Sequence, residues 1–313
     1  MNYFAYSKYL KNKYGEKVYK LPINIETTCP NRDGALSYGG CTFCGEVAAG
    51  FEILDKDLKI KEQLEKNKGY IKKKYKAEKY IAYFQNYTST YIEFEIFKRN
   101  ILESIIEDVV EISISTRPDA IDDDIIDFLS EVKKNCNVDI TIELGLQSVN
   151  YRTLKKVNRG HTLAEFIDAV HRIKAHDLKV CAHMIPNLPW DTIEDVIEGS
   201  KILSSLKVDF VKLHSLYILK DTVLGNQYLN DEISIITKDE YVDWVIIFLR
   251  YLDPAIAIER LLARAPEDET LFCNWGMSWW KIRDEIIDKM EKKNYHQGDL
   301  YNYLNGSALK KFR

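Results

Sequence analysis

The chain of 313 residues is 46% hydrophobic and 29% charged, with a formal net charge of -4 and a mean hydropathy of -0.30; it can bury one large core or two moderate ones, which excludes a disordered chain. Its longest apolar runs, such as Trp244 to Leu249, fall far short of the roughly 18 residues of a membrane span, and no apolar h-region of about 7 to 15 residues opens the chain, so a soluble cytoplasmic protein without a membrane partner is expected. The charge balance excludes a uniformly basic nucleic-acid binder, and six cysteines, three of them between 29 and 44, exclude a disulfide scaffold and point to metal in a reducing compartment.

Residues 1–20 are rich in Tyr and Lys, with five lysines against the single acid Glu16, and read as a basic N-terminal arm with one short helix. From Leu21 onward β-like runs alternate with helical patterns, as βα units around a parallel sheet require. The expected strands are 21–27, 79–85, 110–116, 138–146, 179–185 and 210–214. The helices between them are expected at 56–74, 93–107, 122–134, 162–176 and 192–206. Asp122-Asp123-Asp124 reads as a helix N-terminus and Cys136 as an inert helix end. Beyond His214 the alternation stops; a helix over 238–251, a short strand near 255–259, the aromatic stretch 274–280 and a charged helix over 281–293 follow.

The strands choose between two α/β architectures. Ile112 and Ile114 alternate with Ser113, Ser115 and Arg117; Ile142, Leu144 and Leu146 alternate with Glu143, Gly145 and Gln147. His183, and then Lys212 with His214, extend the polar face. A doubly wound sheet, covered by helices on both sides, would carry nearly continuous apolar runs instead. The expected fold is therefore α/β: a partial (β/α)6 TIM-like barrel over 21–215, the arm over 1–20, and an α+β C-terminal extension over 216–313 packed on the barrel. A polar barrel interior predicts ligand-lining residues, although a solitary lining histidine is as often structural as catalytic.

The strongest chemical signal is Thr28-Cys29-Pro30-Asn31-Arg32-Asp33-Gly34, continuing to Gly39-Gly40-Cys41-Thr42-Phe43-Cys44. It follows the first strand, at the barrel rim where active sites are built. A structural zinc site and an ordinary iron–sulfur cluster each want four ligands, and Cys136, Cys181 and Cys273 stand alone. Three thiolates leave one iron open for a ligand from outside the protein.

This loop resembles the radical SAM superfamily, in which the open iron of a [4Fe-4S] cluster is chelated by S-adenosylmethionine (SAM). The usual spacing there is CxxxCxxC; eleven residues between Cys29 and Cys41 resemble instead the branch of the Elongator catalytic subunit. CPNRDG with GGCTFC, FQNYT (84–88), STRPD (115–119), ELGLQS (143–148), NRGH (158–161) and KLHSLYILKDT (212–222) are similar, across nearly the whole chain, to a small bacterial family of Fe–S oxidoreductases in that branch. Where that family has a GLPGE-like turn, this chain has Asn187-Leu188-Pro189-Trp190-Asp191. The resemblance implies reductive cleavage of SAM and hydrogen abstraction by a 5′-deoxyadenosyl radical, fed by an electron donor such as flavodoxin or ferredoxin. Carried over by motif, Cys29, Cys41 and Cys44 hold the cluster, Gln85 and Asn86 meet the SAM amino group, Ser115 meets the ribose, and Gln147 with Arg159 meets ribose and carboxylate. His183, Lys212, His214 and Arg117 are left as the catalytic set, for substrate or proton delivery, with Glu143 orienting a neighbour.

Kinship to Elongator implies tRNA as substrate, at a modified wobble uridine. Lys56 to Lys79, with ten lysines against four acids, and the N-terminal arm are the expected tRNA contacts, although a solvated helix face reads the same way. An acetyl-CoA-dependent reaction is not implied, since the resemblance covers no acetyltransferase domain; removal of a carboxymethyl group from a modified uridine fits better. Two alternatives stand beside this: a radical SAM enzyme acting on a small metabolite or peptide without RNA, and a zinc-stabilised, non-enzymatic binding module.

Overall fold

A computed structural model describes residues 2–45, 54–265 and 269–312. Nine strands and ten α-helices alternate through them: α1 (Tyr6–Tyr14), β1 (Val18–Ile23), α2 (Ile60–Tyr75), β2 (Lys79–Phe84), α3 (Phe94–Glu103), β3 (Val109–Thr116), α4 (Asp123–Cys136), β4 (Asp139–Gln147), α5 (Tyr151–Lys156), α6 (Leu163–Ala175), β5 (Lys179–Met184), α7 (Ile193–Ser205), β6 (Phe210–Leu213), β7 (Tyr217–Leu219), α8 (Val223–Leu229), α9 (Lys238–Tyr251), β8 (Ala257–Arg260), β9 (Thr270–Cys273) and α10 (Trp279–Lys293). The main sheet has the order β1-β2-β3-β4-β5-β6-β8, and β7 pairs separately with β9. A doubly wound sheet reverses its strand order at a switch point; this one never does, which is the topology of a partial (β/α) barrel. The sheet has a seventh strand because β8, within the segment expected as a packed extension, runs parallel beside β6.

Two compact units divide the chain: Ser7–Leu146 with Asn158–Cys181, and Met1–Tyr6 with Gln147–Val157 and Ala182–Arg313. In the first, β1, β2, β3 and β4 pair in parallel. The helices that cover them follow from spacing and caps. On α4, Ile125, Ile126, Leu129 and Val132 fall on one face and are buried, and the Asp122 side chain accepts from Ile125 N at the N-terminus. On α6, Phe166, Ala169, Val170 and Ile173 repeat the pattern behind a Thr162–Glu165 capping box. Each large apolar side chain so buried contributes about 1.5–3 kcal/mol.

The opposite face of β3 and β4 is polar and equally buried: Glu111, Ser113, Thr141 and Glu143 are at most 1% exposed. Parallel register sets Glu111 beside Asp139, Ser113 beside Thr141 and Ser115 beside Glu143. Charges held there must be paired. At the N-terminal ends of the strands, Tyr14 donates to either Asp139 (2.6 Å) or Glu111 (3.0 Å), and Thr141 donates to Glu111 (2.8 Å). Lys179 pairs with Asp139 at 3.0 Å, and Lys13 pairs with the same carboxylate.

Residues 1–20 therefore differ from the expected arm. Lys20 on β1 reaches the buried Glu143, Lys13 on α1 pairs with Asp139 from an exposed position, and the exposed Lys17 donates to the Tyr75 carbonyl (2.7 Å). Within the second unit, Ala5 forms a parallel bridge with Ile258, and Gln297 accepts from Phe4 N (2.8 Å). In that unit α7 packs against α9, with Val242, Val245, Ile246 and Leu249 of α9 buried. Trp275 takes a left-handed φ of +52°, donates to the Ile236 carbonyl (2.8 Å) and packs half-buried on Tyr241, whereas Trp280 on α10 is 46% exposed.

Burial alone would raise the Asp139 carboxyl, but Lys13, Tyr14 and Lys179 bring it down to about 2. A folded value below the ordinary carboxylate range adds stability that is full above about pH 4 and is lost as pH falls through about 2. Tyr14→Phe removes a donor from this cluster and should cost about 1–3 kcal/mol at neutral pH, read as a lower urea midpoint. The difference from wild type should shrink as the acid limb is entered; an unchanged midpoint at pH 7 would count against the cluster as a stabilising element.

Candidate active site

β1 ends at Ile23, earlier than its sequence suggests, because side chains from elsewhere take the backbone groups that a longer strand would pair. Gln63 of α2 accepts from Asn24 N (2.8 Å) and donates to Asn24 O (2.9 Å). Asn86, after β2, donates to Ile25 O (2.6 Å) and Asn24 Oδ1 (3.0 Å). Asn86, expected at the SAM amino group, is thus 4% exposed with its amide hydrogens on the segment leading into the cysteine loop; Gln85 beside it is half-buried.

The eleven residues between Cys29 and Cys41 fold back on themselves. Cys29 O accepts from Arg32 N (2.8 Å), Pro30 O from Leu36 N (2.8 Å), and Asn31 O from Gly40 N (2.8 Å), while Asp33 and Tyr38 form an antiparallel bridge. The long gap is therefore a closed turn, and Cys44 N on Cys41 O (2.9 Å) closes the last step.

Each cysteine faces one arginine. Arg32 Nη1 lies 3.5 Å from Cys44 Sγ, Arg117 Nη1 4.0 Å from Cys29 Sγ, and Arg159 Nη1 3.4 Å from Cys41 Sγ; Asn31 Nδ2 adds a contact to Cys41 at 3.7 Å. Arg117 is 2% exposed and donates through Nε and Nη2 to Asp119 (2.9 and 2.7 Å). Arg159 is 8% exposed and donates Nη2–H to Gly145 O (2.7 Å) and Nε–H to His161 Nε2 (2.8 Å). Nδ1 of His161 lies 3.2 Å from Thr162 O, so the tautomer protonated there leaves Nε2 as the acceptor. Burial, and then the charge of Arg159, push the His161 pKa down to about 3, which keeps the imidazole neutral at physiological pH. Sequence reasoning passed over His161; its place two residues after Arg159 in NRGH was the available signal.

Three thiols in a cationic, largely buried cradle suit an anionic thiolate-ligated cluster. Burial and the neighbouring Cys41 push the Cys44 thiol up while Arg32 opposes them, so metal is needed to hold that ligand deprotonated. Gly160 makes the cradle fit: at φ +83° an added Cβ would lie 2.8 Å from Asn31 Oδ1 and 2.9 Å from Arg117 Nη2.

Below this rim the polar face continues. Ser115 donates to Tyr83 Oη (3.2 Å), Tyr83 donates to Glu143 Oε2 (3.1 Å), and Glu143 also accepts from Ser113 and Lys20. Glu143, expected to orient a neighbour, is the hub of this network. Lys20 was assigned to the arm by sequence reading, yet β1 points it inward beside the Tyr83 ring (4.6 Å to the centroid).

In the second unit, Gln147 stands at a left-handed φ of +74° and its carbonyl accepts from Ile185 N (2.8 Å). His183 near the end of β5 and His214 just after β6 bring their ring centroids to 5.1 Å. Lys212 pairs with Glu259 at 3.5 Å, both under 10% exposed, and Arg260 Nη2 lies 3.0 Å from His214 Nε2. Glu259 and Arg260 were missed because β8 is reached only after a long crossover. In the loop 187–191, burial pushes the Asp191 carboxyl up to about 6, and Asn187 Oδ1 accepts from Leu216 N (2.7 Å).

A sequence profile described as the Radical SAM superfamily matches residues 24–199, and one described as the Radical_SAM C-terminal domain matches 208–292. The YtqA protein of Bacillus subtilis is 32% identical over 304 residues, covering 96% of this chain and 94% of its own. The tRNA uridine(34) acetyltransferase of Methanocaldococcus infernus is 28% identical over 149 residues, 46% of this chain and 27% of its own. Among solved structures, the archaeal Methanocaldococcus infernus Elp3 with an N-terminal deletion superposes at a TM-score of 0.67, with 17% identity, over 90% of this chain and 64% of that one; the likeness is one of fold.

Gly160→Ala should destabilise the protein by about 1–2 kcal/mol from its backbone conformation alone and lower the iron bound per chain after anaerobic reconstitution. A melting temperature and an iron content both equal to wild type would show that the cradle tolerates a side chain there.

Proposed function

The chain belongs to the radical SAM superfamily, and from that premise we propose that it modifies a wobble uridine of tRNA in the cytoplasm, drawing electrons from a flavodoxin- or ferredoxin-type donor. Enzymes of this superfamily use a [4Fe-4S] cluster and SAM. When bound, the cluster supplies the electron that breaks the S–C5′ bond of SAM, so that a 5′-deoxyadenosyl radical takes hydrogen from the substrate. The observation that carries the cofactor part of this reading is the guanidinium at the sulfur of each of Cys29, Cys41 and Cys44.

The chain's own residues bind and orient. Arg159 has N–H groups left for a carboxylate after its bonds to Gly145 and His161. Ser115 and Gln147 are assigned to the ribose hydroxyls and Gln85 to the amino group, with Asn86 supporting the loop that carries Cys29. Arg117 holds Asp119 and the Cys29 side of the loop. His183, Lys212 and His214, joined by Glu259 and Arg260, are assigned to the substrate. Hydrogen bonds from Lys20, Tyr83 and Ser113 fix the orientation of the Glu143 carboxylate.

Support for tRNA comes from the relative that acts on uridine 34 and from α2. Lys66, Lys68 and Lys72 of that helix pair with Glu62, Asp108 and Glu78, but Lys59, Lys61, Lys73, Lys74 and Lys76 are exposed with no carboxylate partner among the described residues. Exposed lysines neutralise phosphates and make binding fall steeply with salt. No described helix is long and apolar enough to cross a membrane.

Two measurements test this. Anaerobically reconstituted protein reduced with dithionite should cleave SAM to 5′-deoxyadenosine, and Cys29→Ser, Cys41→Ser and Cys44→Ser should each reduce cleavage by at least about a hundredfold, the factor expected when a metal ligand or its support is lost. Mass spectrometry of tRNA nucleosides from a strain lacking the gene should show one modified uridine changed. An unaltered nucleoside profile with intact SAM cleavage would redirect the search to a small metabolite or peptide.

A further inference from the structure

The three arginines at the cysteines come from three separate places: Arg32 from the loop itself, Arg117 from the end of β3, and Arg159 from the turn before α6. One guanidinium per sulfur is more than folding the loop demands, because its turns are already closed by backbone hydrogen bonds. We propose that these arginines set the reduction potential of the bound cluster, each favouring the reduced form, with effects in the order Arg159, Arg32, Arg117. The inference rests on the reading that Cys29, Cys41 and Cys44 hold the cluster.

One-electron reduction adds one negative charge and no proton to the cluster; the electron comes from an external one-electron reductant. Positive charge and N–H donors at the sulfurs stabilise that extra charge more than they stabilise the oxidised state. The size of each effect depends on what else the arginine is paired with and on the medium between them. Arg117 is tied through two N–H groups to Asp119, and the carboxylate cancels most of its field. Arg32 has a neutral acceptor, Gly45 O at 3.0 Å, but is only half-buried, so water screens it. Arg159 is 8% exposed, and its other partners, Gly145 O and a neutral His161, leave its full charge acting on Cys41.

The test is a redox titration of reconstituted, SAM-free protein followed by the electron paramagnetic resonance signal of the reduced cluster, with iron content measured on every sample. At a fixed potential Arg159→Gln should lower the reduced-to-oxidised ratio by about tenfold, which is about 59 mV for a one-electron couple. Arg32→Gln should lower it less and Arg117→Gln least. Asp119→Asn removes no arginine and frees the charge of Arg117, so its midpoint should move the opposite way, to higher potential. A role confined to holding the loop would change iron content without moving the midpoint. If Arg159→Gln assembles no cluster, Asp119→Asn and Arg32→Gln decide the matter. Midpoints equal to wild type in cluster-loaded variants, or Arg117→Gln giving the largest drop, would overturn the proposal. Wild-type protein that never shows a reduced-cluster signal would overturn instead the cysteine assignment beneath it.

Discussion

A carboxylate in the middle of a parallel sheet, with 1% of its surface exposed, has to be answered on every side. Glu143 is that group, and much of the first unit is arranged around it. Lys20 reaches it from β1, Tyr83 from β2 and Ser113 from β3, so four adjacent strands contribute to one hydrogen-bonded knot. Removing any one partner leaves charge or a donor unpaired in a medium where that costs several times more than the bond contributes when complete. The register of the sheet is thereby tied to its polar interior as firmly as to its apolar face, since a slip of one residue would turn Glu143 toward the helices.

The same requirement continues upward into chemistry. Arg117 and Arg159 are long cations in sites almost closed to water, and each has acceptors before any ligand is considered: Asp119 for one, Gly145 and His161 for the other. Nη1 of each is directed at a cysteine sulfur. Gly160 sits where the Arg117 guanidinium and Asn31 come close, and its lack of a side chain lets NRGH on one loop and CPNRDG on another share a single volume. The rim is thus prepared for negative charge by residues whose backbone positions are set elsewhere in the fold.

Legibility in the sequence followed the range of the interactions. Period-two alternation in Ile112-Ser113-Ile114-Ser115 and in Ile142-Glu143-Leu144 exposed a sheet with a polar face, and the spacing of Cys29, Cys41 and Cys44 exposed the loop, because both signals are local. The end of β1 was misplaced since Asn24 to Thr27 look extended; only Gln63 and Asn86, distant in sequence, show why that backbone is not sheet. Lys20 was hidden among other lysines of residues 1–20, and strand direction alone separates it from Lys8 and Lys11, which stay exposed. A short strand near 255–259 was expected, but its pairing with β6, which places Arg260, was not, because a crossover containing β7, α8 and α9 separates the two strands.

The hydrogen bonds of Tyr14 carry a consequence for how the chain comes to be folded. Its partners Glu111 and Asp139 lie 97 and 125 residues further along, and Gln297, which holds Phe4, lies 293 residues further. Helix α1 must therefore wait, with its lysines and tyrosines in water, until β3 and β4 exist to receive it, and the residues before it must wait for the segment that carries Gln297. Loop closures of that length come late and make folding slow. Until they occur, Glu111 and Asp139 lack their donor from α1, and the emerging sheet has an open polar end that a second chain could enter.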